Sequence, residues 1–271
     1  MTTVAPAFFV SHGLPPLALM DDPYNSALIN FGRNLNIKGV ICVSSQWLAP
    51  GPIQITSNPN PFIQYNFHGY QKDLYDLKYS TPFSNDLLTR VSLALSKESF
   101  EFILNPHYGF DHGVWMPIRL IRPDGDLPVV QLSLPFQEDP RKIMALGHAL
   151  SKLREEGILI LGSGLSAFNA SKIIWHARGE DVNPKIKEFD QWLEKKILSA
   201  EIEDLIDYRK SGPNGEFAHP SSATLLPLFF IIGSAITGDR PQIIFRGFKY
   251  SSVSLLSFSL SSYSIVEKAM N

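Results

Sequence analysis

Gly-Val-Ile-Cys-Val-Ser-Ser, residues 39–45, is the stretch whose reading decides the fold. It is a nearly continuous apolar run, rich in β-branched residues and opened by a glycine. A strand with one wet face alternates apolar and polar residues; a run of this kind is covered on both faces, as in the interior of an α/β sheet. Working outward, Ala7–Val10 reads as a second buried strand. Ile158–Leu161 reads as a third, ending in Gly162-Ser163-Gly164. Pro128–Leu134, Ile243–Phe245 and Val253–Leu260 add further strands, and Ile53–Thr56 is expected at the sheet edge.

Helical patterns fall between these strands. Pro140–Leu153 is the clearest, because Ile143, Met144, Leu146, Leu150 and Leu153 recur at helical spacing and Pro140 suits a first turn. Pro23–Phe31, Asn85–Leu95 and Lys185–Leu198 read as helices. Pro220–Ile236 reads as a packed helix kinked at Pro227. Leu14-Pro15-Pro16 forces a loop, and the aromatic-rich region 58–83 is expected to be a loop with a short helix near Gln71–Leu77. The expected architecture is α/β: one domain over residues 1–271, with a mostly parallel or mixed central sheet flanked by helices.

Composition narrows the function. The net charge is -2 with no basic block, which argues against nucleic-acid binding. No apolar stretch is long enough for a membrane helix, and the amino-terminal stretch has no basic region of a signal peptide. Cys42, the single cysteine, excludes an internal disulfide framework and reads as a small buried hydrophobe. The expected location is cytoplasmic. Charged residues make up only 18%, which fits either a large core or a buried oligomer interface.

Ligands of such sheets sit beyond the carboxyl ends of the strands. His12, Gln46 and the turn 162–169 all fall just after expected strands. His12 reads either as a metal ligand or acid/base group, or as a histidine bonded to its own loop. His112, in the polar turn Asp111-His112-Gly113, is a candidate acid/base or substrate donor, and Asp111 a candidate cap for Trp115 or another local amide. His219 either faces the same cleft or sits on a loop. Tyr65, Phe67, Tyr70, Tyr75 and Tyr79 either line a ring-binding pocket or pack beneath the long loop. Gly162-Ser163-Gly164 is neither a nucleophile elbow nor a phosphate loop. Glu155-Glu156 reads as a solvated helix end, and His148 as a surface or second-layer residue.

Seven strings carry a resemblance. They are FFVSHGLPP at the amino terminus, VICVSSQW at 40–47, YDLKYSTP at 75–82, GFDHGVWMPI at 109–118, LPVVQLSL at 127–134, GSGLSAFNA at 162–170 and AHPSSATLLPLFFIIGSA at 218–235. Together and in order, they resemble the class III extradiol ring-cleavage dioxygenases, in the DOPA dioxygenase-like branch, over nearly the whole chain. The resemblance implies that family's α/β fold. It also implies a non-haem metal held mainly by histidines, with a further histidine handling protons.

Carried over residue by residue, the metal site is depleted. The histidine of Ser-His-Gly is retained as His12, and Asp111-His112-Gly113 is intact. The histidine before tryptophan is replaced by Gln46. The histidine before asparagine is replaced by Phe168, which precedes Asn169. The late Glu-His pair is replaced by Ala223 and Thr224. An amide oxygen is a weak ligand beside imidazole, a phenyl ring is none, and a neutral hydroxyl is a poor one. The reading is therefore a dioxygenase-fold protein without ring-cleavage activity and with no cofactor. It would act as a non-catalytic subunit, either of a homo-oligomer or beside a related catalytic chain, or as a binder of a small aromatic ligand. The alternative is a metal-dependent extradiol dioxygenase of catechol-type rings, using iron(II) or zinc(II) on a shifted set of His12, His112 and His219.

Overall fold

The computed structural model describes residues 4–136, 139–178 and 180–262. Met1–Thr3, where the amino-terminal stretch read for a leader begins, lie outside the described residues. Among the described residues ten strands occur: β1 Ala7–Ser11, β2 Gly39–Ala49, β3 Ile53–Thr56, β4 Phe102–Asn105, β5 Val129–Pro135, β6 Ile158–Gly164, β7 Arg240–Phe245, β8 Phe248–Lys249, β9 Val253–Ser254 and β10 Ser257–Ser261. Eight form one mixed sheet in the order β4-β3-β5-β2-β6-β1-β10-β7, and β8 pairs with β9 apart from it. The four central strands, β5, β2, β6 and β1, are parallel.

Both faces of this centre are covered, which is why its strands read as unbroken apolar runs. Ala7 and Phe9 of β1, with Ile41 and Val43 of β2, point into one core, against the helices Asn85–Lys97, Pro140–Leu150, Pro184–Leu198 and Leu226–Gly233. Phe8, Val10, Val40 and Cys42 point into the other, against Pro23–Arg33 and His112–Ile121. Three helices start alike. Asp22, Asp139 and Asn183 each cap an amide two residues on, and each is followed by proline, whose missing N–H is not needed in a first turn.

Several expectations need correction. Ile53–Thr56 is not an edge, because β4 pairs outside it. β2 runs on through Gln46 and Trp47, and β6 includes Gly162-Ser163-Gly164, so neither stretch is a turn. A Cβ at Gly162 would lie 2.5 Å from the Pro227 carbonyl oxygen, and one at Gly164 would lie 2.4 Å from that of Thr224. These glycines serve close approach of another backbone. The late helix spans only Leu226–Gly233, with Pro227 in its first turn and no interior kink. Pro15–Leu19 is a 3₁₀ turn, and His112–Ile121 is a helix where only a polar turn was expected.

A buried ion pair fastens the strand ends opposite the site. Arg154 is fully buried and donates to both oxygens of Asp239, and to the carbonyls of Ala5, Ser234 and Leu260. Removing the carboxylate would strand a charge in the interior. Asp239→Ala is expected to lower the unfolding free energy by about 3–5 kcal/mol in urea titration; a loss below about 1 kcal/mol would show that the pair is dispensable.

Candidate functional site

The parallel pairing brings three strand ends together. Ser11 of β1 lies opposite Gly164 of β6, and Ser44 of β2 lies opposite Ser163. His12 leaves β1 at this rim, its amide donating to the Gly164 carbonyl at 3.0 Å. Its ring is buried, with Nδ1 3.0 Å from the Ser163 hydroxyl. That hydroxyl donates to the Gly113 carbonyl and so accepts from His12. The proton on His12 is thereby placed on Nδ1, and Nε2 keeps its lone pair.

His112 opens the helix His112–Ile121 on the facing side, its ring centroid 5.8 Å from that of His12 and edge-on to it. The side-chain oxygen of Asn66 accepts from the His112 backbone amide at 3.2 Å and from Nδ1 at 2.8 Å. His112 is therefore also an Nδ1–H tautomer with a bare Nε2. Burial, and secondarily the neighbouring His112, pushes the His12 pKa down to about 3; burial alone lowers His112 to about 4. Both rings are neutral acceptors at neutral pH. Asp111 does not cap with its side chain; its backbone carbonyl accepts from Val114 and Trp115 instead. Its buried carboxyl accepts from Gln131 at 2.5 Å, and burial raises its pKa to about 6.

The depleted positions settle differently. Against β5, β2 passes from Val43 opposite Leu132 to Leu48 opposite Leu134, so Ser44–Trp47 bulges out against Ser133. Gln46 lies on this bulge with its side chain exposed. Phe168 bridges Val253 and packs on the apolar cluster around β1 and β2. The Thr224 hydroxyl is 2.9 Å from Nδ1 of His219, whose Nε2 donates to the Ser166 carbonyl at 2.8 Å. His219 is fully buried between Phe189 and Tyr208, with both nitrogens spent on the fold, and burial lowers its pKa to about 4. His12 and His112 meet, and His219 offers no ligand atom to join them. Among the described residues, no three His, Cys, Asp or Glu side chains come together where a metal could be held. The donor set does not fit the non-haem metal of the resemblance.

An aromatic wall adjoins His112. Phe67 stands edge-on to its ring at 5.5 Å and contacts Tyr65, Tyr70 and Tyr75. Tyr65, Tyr75 and Tyr79 spend their hydroxyls on the carbonyls of Leu77, Phe67 and Arg122, and so tie down the long loop. Tyr70 reaches Trp175, which stacks at a tilt on Tyr250 and is half exposed. Asn66, Trp175 and Tyr250 belong to the site but lie outside every string quoted above and carry no motif, whereas Ser163 lies within Gly162-Ser163-Gly164.

Comparison with known proteins agrees with this fold. The family model described as the catalytic LigB subunit of aromatic ring-opening dioxygenase matches residues 9–260, and the chain belongs to that family. It is 30% identical over 260 residues to the 4,5-DOPA dioxygenase extradiol of Beta vulgaris, covering 94% of this chain and 96% of that one. It is 28% identical over 271 residues to the protein of the same name from Escherichia coli K12, covering 96% of each. The crystal structure of uncharacterized protein JW3007 from Escherichia coli K12 superposes with a TM-score of 0.80 at 25% identity, covering 95% of this chain and all of that one.

The tautomers are directly measurable. Long-range ¹H–¹⁵N spectra are expected to show Nδ1–H for His12 and His112 and Nε2–H for His219. The His12 and His112 rings should stay neutral as pH falls from 7 to 5, since both titrate well below that window. A His12 ring that protonates near pH 6.5 would contradict its burial.

Proposed function

We propose that this chain is a dioxygenase-fold protein that does not cleave rings and that binds a small aromatic ligand against the His12–His112 pair. One observation carries the reading. The family's other ligand positions hold Gln46, Phe168, Ala223 and Thr224, while the two remaining cleft histidines are neutral and keep their Nε2 lone pairs. Two acceptors side by side suit a ligand with two donors, such as a neutral diphenol. The rings of Phe67 and its neighbours suit its flat face. An anion would meet only lone pairs there, with no positive charge to balance it.

Calorimetry with catechol as the probe tests this. The wild-type chain is expected to bind catechol and to reject benzoate. His12→Ala and His112→Ala should each weaken binding about 10-fold or more, as loss of a buried hydrogen bond does. With iron(II) and catechol present, an oxygen electrode should record no uptake above a protein-free control. Stoichiometric oxygen uptake with a coloured ring-opened product would overturn the reading.

A further inference from the structure

The two edges of the sheet are built differently. β7 carries Arg240 and Pro241, and its partner strand shifts register between Ser257 and Phe258. A charge, a proline without an N–H and an irregular ladder are all devices that stop another strand from docking. β4 has none of them. Its sequence is Phe-Ile-Leu-Asn, with no charge and no proline, and Ile103 and Leu104 are 49% and 51% exposed.

The backbone of β4 is also open. On its inner side, Ile53 donates to the Glu101 carbonyl and Ser57 to the Asn105 carbonyl. In a parallel ladder the bonding residues alternate, so Glu101, Ile103 and Asn105 face β3. Phe102 and Leu104 therefore aim their N–H and C=O groups away from the sheet, and no described residue bonds to them there. Such a row of groups is completed only by another strand.

We propose that β4 is a self-association edge, through which two copies of this chain pair antiparallel about a two-fold axis at Ile103. The outward groups fix the register. Phe102 lies opposite Leu104 of the second copy, Leu104 opposite its Phe102, and Ile103 opposite its Ile103. The ladder contains about four backbone hydrogen bonds. The three central pairs across it are apolar, with side chains about 4.5–5.5 Å apart. Charge placement fits as well: Glu101 falls opposite Asn105 of the second copy, whereas a parallel pairing would set Glu101 against Glu101. An antiparallel edge that matches itself closes as a dimer and leaves no further edge of this kind exposed. The low charged fraction of the chain is consistent with a surface kept for such a contact.

A short ladder with small flanking contacts makes a modest interface, so sedimentation velocity is run over a concentration series. The full chain is expected to pass from its 30.3 kDa monomer to twice that mass as concentration rises. Ile103→Lys sets two ammonium groups face to face and should leave only monomer; Ile103→Glu should do the same. Because position 103 faces itself, an equimolar mixture of the two variants should regain the dimer as a mixed pair. Leu104→Pro removes an outward N–H without touching the bonds to β3, as edge strands tolerate, and should also give monomer with unchanged circular dichroism. Wild-type chain that stays monomeric up to about 100 µM, beyond micromolar affinities, would overturn the proposal. So would a dimer that Ile103→Lys and Leu104→Pro leave intact, or charge-swapped variants that fail to re-pair.

Discussion

The Ser163 hydroxyl sits where three parts of the molecule meet. It donates to the Gly113 carbonyl near the start of the helix His112–Ile121, and it accepts the Nδ1 proton of His12 at the end of β1, while itself belonging to β6. A hydroxyl has one proton to give, so the donation to Gly113 dictates the tautomer of His12. The same contact anchors the start of the helix that carries His112. The placement of the two rings and the availability of the His12 lone pair thus follow from one buried serine, while Asn66 fixes the tautomer of His112. Because both rings are buried, the histidines are neutral and present fixed acceptors rather than charge.

The family's framework survives beside a changed set of donors, and packing explains the survival. Gly162 and Gly164 are kept because the backbone at Pro227 and Thr224 passes within a Cβ of them. Thr224 hydrogen-bonds His219, which in turn holds the Ser166 carbonyl. Phe168 fills apolar space next to Val253. Each replacement has become part of the structure, and none leaves a side chain poised to coordinate. Gln46 is the exception in exposure: the bulge in β2 carries it outward, where a neutral amide costs nothing to solvate.

Much of the fold was legible because both faces of the central strands are buried, which leaves continuous apolar runs such as Val40–Val43. Pro140 marked the start of its helix for an equally local reason, since a first turn needs no N–H from it. What escaped was decided by distant partners. β4 is a half-exposed stretch of four residues whose identity as a strand depends on pairing with β3 some fifty positions away. Missing it made β3 look like the edge. The Ser-Ser-Gln-Trp stretch reads as an end of apolar sequence, although the backbone continues as strand through a bulge. At the site, the ordered strings carried the expectation that Gln46, Phe168 and Thr224 stand at changed ligand positions. The tautomers were not legible, since they depend on Asn66 and Ser163, which lie 46 and 151 residues from the rings they fix. The burial of His219 likewise depends on Phe189 and Tyr208, elements with no sequence signal linking them to it.

The central claim is that the cleft has lost its metal chemistry while keeping two neutral histidine acceptors. The most direct measurement is metal content per chain, by mass spectrometry of the full protein purified anaerobically with added iron(II) or zinc(II) and then desalted. The account predicts metal at background, unchanged by His12→Ala. About one metal per chain, lost on His12→Ala, would contradict it and would require a ligand set other than the one described here.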